Sequence, residues 1–219
     1  MAINGKVPGK TVRKLLRQLA PFERTGHISP QLVEPNRLYD MAKAGDKNAK
    51  LLRSLIAQLL NKHTGEQWWS EKQPTPSGAW LLSALREWYA QSPERKLRIL
   101  SSPAGDESER ELCIKGKKAW LRKQGICYPA IFESHKASYA DRSSMLIDDQ
   151  WRKLESFSRN GGWGLKFPFN DGDLKIPPFV SVIYIDMDGV LVSTTGPIYN
   201  LLQEAFEWHR CHLKEVGKL

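Results

Sequence analysis

Apolar positions follow two regimes along this chain. In the first sixty residues they recur at helical spacing. Val12–Leu19 predicts a helix, and Arg37–Leu60 reads as helical, with Leu51, Leu52, Leu55, Ile56, Leu59 and Leu60 on one continuous apolar face. Residues 67–78 are aromatic and then turn-rich (Trp68, Trp69, Pro74, Pro76, Gly78), and Pro76-Ser77-Gly78 leads into a helix over Ala79–Ala90. Beyond that point short apolar runs alternate with helical stretches. Leu97–Leu100, Ala130–Glu133, Met145–Ile147 and Trp163–Phe167 read as strands, and Glu107–Gln124 and Trp151–Arg159 as helices, the second stopped by Asn160-Gly161-Gly162. A polar connector, Asn170–Pro178, precedes a last buried strand, Val182-Ile183-Tyr184-Ile185, and a helix over Pro197–Leu213 closes the chain. Repeated βα units predict an α/β fold, a parallel sheet with helices on both faces.

The last strand runs into Asp186-Met187-Asp188-Gly189 and so delivers two carboxylates to its C-terminal tip, the edge where open parallel sheets place their ligands. Three other strands end in residues suited to phosphate chemistry: Ser101 and Ser102, Lys136 just beyond Glu133, and Asp148 with Asp149. In a parallel sheet these tips share one edge. Together they make an acidic cluster able to hold Mg²⁺, which prefers oxygen ligands from one or two carboxylates plus water and phosphate, beside a lysine and hydroxyl donors.

These motifs resemble those of the haloacid dehalogenase superfamily of phosphohydrolases. Asp186-Met187-Asp188-Gly189-Val190-Leu191 is similar to its motif I, Ile99-Leu100-Ser101-Ser102-Pro103 to motif II, Lys136 to the motif III lysine, and Leu146-Ile147-Asp148-Asp149 to motif IV. Within the superfamily the likeness is to the 5'(3')-deoxyribonucleotidase family, through the Ser-Ser-Pro motif, Lys117-Lys118-Ala119-Trp120 in the following helix and the approach Pro76-Ser77-Gly78-Ala79. The likeness covers roughly residues 66–167 and 180–213. The family order is I, II, III, IV and here it is II, III, IV, I, so the chain resembles a circular permutant, with Asn170–Pro178 joining the usual ends. Termini are tolerated at exposed sites, which makes such a rearrangement physically reasonable. On this reading residues 1–75 form a basic, mainly helical cap segment, 76–195 the α/β core, and 196–219 a helix completing the cap.

The resemblance implies a role for each residue. Asp186 attacks phosphorus to form an aspartyl-phosphate, and Asp188 protonates the leaving oxygen and then activates water. Mg²⁺ is held by Asp186, the Asp188 carbonyl and motif IV, with Asp148 and Asp149 both candidates. Lys136, Ser101 and Ser102 bind the phosphate oxygens. Trp68 and Trp69 stand where the family's cap aromatics enclose the base; the alternative is that they pack the cap core.

Charge refines the picture. The formal net charge is +9, and residues 1–62 carry 12 Lys/Arg against 4 Asp/Glu. A basic segment of this kind favours an anionic partner such as phosphate or nucleic acid, or is a solvated face. The 3 cysteines form no C-x-x-C pair, which fits a reducing compartment. No apolar stretch of membrane-spanning length and no signal-type N-terminus is present, so the expected setting is cytoplasmic. Gly5-Lys6-Val7-Pro8-Gly9-Lys10-Thr11 is one residue short of a P-loop with no strand before it, and reads as a basic tail. His209, Cys211 and His212 lack the partners of a zinc site and read as a partly buried helix face. Lys117-Lys118 reads as a solvated helix face whose first lysine could approach the phosphate. The leading expectation is a Mg²⁺-dependent phosphatase of (deoxy)nucleoside monophosphates. A polynucleotide end phosphatase and a non-catalytic nucleotide- or nucleic-acid-binding protein are the competing ones.

Overall fold

The computed structural model describes residues 3, 7–63, 65–104, 107–169 and 174–216. In chain order the elements are α1 (Lys10–Arg24), α2 (Pro35–Lys43), α3 (Lys47–His63), α4 (Glu66–Ser70), α5 (Pro76–Ala90), β1 (Lys96–Ser101), α6 (Glu107–Lys123), β2 (Ala130–Phe132), a 3-10 turn (Lys136–Tyr139), β3 (Ser144–Asp148), α7 (Trp151–Arg159), β4 (Trp163–Lys166), β5 (Val182–Ile185) and α8 (Thr195–Glu215). The single helical stretch expected over Arg37–Leu60 is two helices. Gly45, at φ 102°, takes the left-handed conformation that ends α2, and the Asp46 carboxylate caps α3 by accepting from Ala49 N at 2.9 Å. Part of the connector, residues 170–173, and Gly5-Lys6 of the P-loop-like run lie outside the described residues.

The chain divides into two compact units, residues 1–69 with 104–113 and 194–219, and residues 70–103 with 114–193. Residues 70–75, which follow the paired tryptophans, cluster with the sheet. The first unit is helical among its described residues. Leu16 and Leu19 of α1, Leu52, Leu55 and Leu59 of α3, and Leu202 and Phe206 of α8 are all buried in one cluster. The i, i+3, i+7 spacing within α3 puts its leucines on one face, and each full burial stabilises by about 1.5–3 kcal/mol.

The second unit holds a five-stranded sheet in the order β2-β1-β5-β3-β4, every pairing parallel. Alternation along the strands sends neighbours to opposite faces. Ile99, Ile147, Ile183 and Ile185 pack with Leu81, Leu85 and Trp120, contributed by α5 and α6. Leu100, Leu146 and Tyr184 pack with Leu154 and Phe157 of α7. Both faces are covered, which explains why the strands read as continuous apolar runs. The last strand in sequence is the central one. β5 pairs with β1 through Lys96↔Val182 to Ile99↔Ile185 and with β3 through Ser144↔Val182 to Ile147↔Ile185. From β1 the chain winds outward to β2, and from β3 outward to β4, so the winding reverses about β5. A crevice at the carboxyl edge of such a switch point is the usual ligand position.

Candidate active site

The register fixes which residues meet. Ile185 and Ile147 are paired, so Asp186 and Asp148 leave the sheet side by side, tied by Asp186 N donating to Ile147 O at 2.9 Å. Carboxylate oxygens of Asp148, Asp149 and Asp186 lie within 4.8 Å of one another. Lys136, carried in by the 3-10 turn after β2, is only 2% exposed. Its Nζ lies 2.6 Å from Asp148 Oδ2 and 2.8 Å from Asp186 Oδ1. Lys153 of α7 donates to Ser134 O at 2.8 Å and holds the loop that presents it. The second oxygen of Asp148 accepts from Gln150 N at 2.7 Å, and Asp186 Oδ1 also accepts from Met187 N at 2.7 Å.

A second group adjoins the first. The backbone after β5 turns tightly, with Gly189 N donating to Val192 O at 2.8 Å and Val192 N to Met187 O at 2.9 Å. Gly189 has φ 80°, and a Cβ there would meet Asp149 Oδ2 at 2.2 Å, so the turn needs glycine for both conformation and space. The returning segment pairs antiparallel with residues 73–75: Thr75 N donates to Leu191 O at 2.9 Å and Ser193 N to Gln73 O at 3.0 Å. That pairing carries Lys72 to Asp188, Nζ to Oδ1 3.4 Å, and Trp120 Nε1 anchors the Lys72 carbonyl at 2.8 Å. From α6, the Lys117 ammonium donates to Ser101 Oγ at 2.8 Å, to Ser102 O at 2.7 Å and to the other oxygen of Asp188.

Of the expected site residues, Asp186, Asp148, Asp149 and Lys136 come together directly, and Lys117 links Asp188 to Ser101 and Ser102. The Ser102 hydroxyl oxygen is buried without a hydrogen-bond partner. Trp68 and Trp69 belong to the helical unit, where they form an edge-to-face pair with centroids 4.7 Å apart; Trp69 is buried and Trp68 packs against the leucine core. Lys117 corrects a sequence reading. It is not a solvated lysine: its side chain is fully buried, while Lys118 alone is exposed. The signal was present, because Cys113, Lys117, Trp120 and Leu121 share the inward stripe of α6. Lys72 went unnoticed, since its stretch has no period and only the distant pairing with residues 191–193 brings it in. Of the C-terminal group, His209 is buried, Cys211 donates to Glu207 Oε1 at 3.5 Å and His212 stacks on Trp208.

The two groups have opposite electrostatics. In the first, three carboxyl groups crowd around the Lys136 ammonium, with Lys166 also acting on Asp149. Burial, then the charges of Asp186 and Asp148, push Asp149 up to about 8, and burial with Asp148 pushes Asp186 up to about 6 against the pull of Lys136. Burial acts on Lys136 in the lowering direction, yet Asp186 and Asp148 outweigh it and raise its pKa. Two lysines against one carboxylate give the second group a net charge of +1. Burial would raise Asp188, but Lys117 and then Lys72 hold it at about 2. The donor set of the first group could hold a metal ion. It is all oxygen, the donor type that hard divalent cations take. Among the described residues it is the one cluster of three such ligands.

No protein-family model, no curated protein and no solved structure matches the chain. Among the described residues no helix is long and apolar enough to cross a membrane.

Proposed function

We propose that the sheet-bearing unit is a Mg²⁺-dependent phosphomonoesterase working through an aspartyl-phosphate. The observation that carries this reading is the convergence of Asp186, Asp148, Asp149 and Lys136 at the carboxyl edge, next to the cationic group around Lys117. The nucleoside monophosphate substrate class and the haloacid dehalogenase assignment rest on the sequence resemblance. A central strand that comes last in sequence supports the permuted motif order, because no other position brings Asp186 between Ser101 and Asp148. A reducing, cytoplasmic setting belongs to the same proposal and rests on the sequence.

The metal would be held by Asp186, Asp148 and Asp149, where it would supply positive charge against which carboxylate and phosphate can approach. Substrate phosphate lies toward Lys117 and Lys72, whose charges balance its equatorial oxygens, and toward the Ser101 and Ser102 hydroxyls, which can donate to them. An Asp186 oxygen attacks phosphorus in line as the ester P–O bond breaks, and the departing oxygen takes a proton from Asp188. In the second step Asp188 removes a proton from water, which attacks the aspartyl-phosphate, releasing inorganic phosphate and restoring the Asp186 carboxylate. Asp188 is ionised where it stands, which suits the second step. Phosphate drawing Lys117 and Lys72 onto its own oxygens weakens the charges that keep Asp188 ionised and lets it carry the proton needed in the first.

A panel of 5'- and 3'-(deoxy)nucleoside monophosphates, assayed for phosphate release with Mg²⁺ and with EDTA, tests the proposal. Release that needs Mg²⁺ and disappears in Asp186→Asn is the expected result. Nucleotide binding without release would leave a binding protein on this scaffold, and release undiminished by excess EDTA would remove the metal.

A further inference from the structure

The helical unit carries a second concentration of cations that the phosphatase reading does not use. Lys10, Arg13, Lys14 and Arg17 stand at i, i+3, i+4 and i+7 on α1, one face of one helix. They line a groove of about 370 Å³ whose other wall is α8, with His209 and His212. Among the described residues no carboxylate lines this groove. Like charges four residues apart on a helix repel, so this arrangement costs stability unless an anion answers it. Two of the acids on these helices, Glu23 and Glu207, are taken by Arg210, at 2.8 and 2.6 Å.

A separate observation points into the same groove. His209 is only 5% exposed and its Nε2 is buried without a hydrogen-bond partner. Buried polar atoms are rarely left so, and a ligand in the groove would give this nitrogen the partner it lacks. His212, three residues on, has its ring fixed by stacking on Trp208, with centroids 4.9 Å apart and planes 14° apart.

We infer that the α1–α8 groove binds the sugar–phosphate backbone of a nucleic-acid strand. Length favours a strand over a lone phosphate. From Lys10 to Arg17 the helix rises about 10 Å, about three steps of ~3.4 Å, which spans four successive phosphates of one strand. The inference stands independently of the phosphatase proposal, since none of its residues belongs to the Asp186 site.

The test uses a fluorescent single-stranded oligonucleotide with hydroxyl ends, which offers the phosphatase site no monoester, titrated with the full chain and read by anisotropy. Four backbone contacts predict an affinity falling about 50-fold between 50 and 200 mM salt, and Lys14→Ala/Arg17→Ala, at two exposed positions, reduces that to about 7-fold with weaker binding throughout. Asp186→Asn is expected to bind as the wild type does, and the His209 ring resonances to shift on adding the oligonucleotide. Equal binding by wild type and the double variant would overturn the inference. So would loss of binding in Asp186→Asn, which would assign the strand to the other site, or displacement by inorganic phosphate at equal phosphate concentration, which would reduce the groove to a single-phosphate site.

Discussion

At the scale of single residues, the site is governed by how few positive charges answer its buried carboxylates. Among the described residues Lys136 is the direct ion-pair partner of both Asp148 and Asp186, and its side chain is 2% exposed. Lys136→Met would leave two adjacent carboxylates without a counter-charge, a loss of the kind that costs about 3–5 kcal/mol. Urea unfolding in EDTA should register it, and millimolar Mg²⁺ should restore part of it; a variant as stable as wild type in EDTA would contradict the buried pairing. The same crowding sets a pH dependence. Asp149 at about 8 and Asp186 at about 6 lie above the ordinary value of 3.8, so the cation-free folded protein holds protons that the unfolded chain releases. Its stability therefore falls as pH rises from about 4 toward 8. Asp188, held at about 2, acts oppositely and in another window: its contribution is present above about 4 and lost as pH drops toward 2. Melting temperatures in EDTA should decline between pH 5 and pH 8, Mg²⁺ should remove the decline because a dication displaces the protons, and Asp149→Asn should flatten the EDTA profile. The aspartates were legible because each ends an apolar run. Lys72 was not, because what brings it to Asp188 is backbone pairing across more than a hundred residues, and no local pattern encodes that.

At the scale of elements, two glycines hold the site's backbone together, and they fail in different ways when filled. Gly78 sits in the first turn of α5, where the Thr75 hydroxyl caps its N–H at 3.0 Å. A Cβ there would lie 2.7 Å from Val190 O and 3.0 Å from Leu191 Cα. Gly78→Ala pushes the helix off the turn after β5 and should cost about 1–3 kcal/mol as overpacking, with the Mg²⁺ dependence of stability kept. Gly189→Ala combines a positive φ with a collision against the Asp149 carboxylate. It should cost a similar amount and also weaken the response of melting temperature to Mg²⁺, since a ligand is displaced. Equal Mg²⁺ responses in the two variants would argue against Asp149 as a ligand. The element pattern shows the same division between local and distant information. The five strands and the site helix α6 follow from period and punctuation. The break between α2 and α3 turns on Gly45, isolated inside a helical pattern, and such a glycine is compatible with continuation as well as with an end. The pairing of residues 73–75 with 191–193 has an apolar side in Leu191 and Val192 but no period in Gln73-Pro74-Thr75 to match it.

At the scale of the whole molecule, chain order and spatial order disagree in a way that concentrates responsibility on the last forty residues. β5 is the last strand and the only one bonded to both halves of the sheet: without it β1-β2 and β3-β4 share no pairing. Isolated two-stranded pieces are marginal in water, so neither half is expected to stand alone. The same segment continues into α8, whose Leu201, Leu202, Ala205 and Phe206 are buried in the leucine core of the helical unit. One stretch of chain therefore completes two separate cores, and losing it removes a central strand from one and a buried helix face from the other. A chain ending at Lys175 should show no cooperative thermal transition by circular dichroism and no slowly exchanging amides in β1 or β3. Supplying residues 180–219 as a separate peptide should restore both if what was lost is pairing and burial and not chain continuity. A truncated chain that still melts cooperatively would mean that β5 is dispensable to the sheet. Asp186 would then lose the rigid strand that sets it beside Asp148, and the catalytic reading would fall with it.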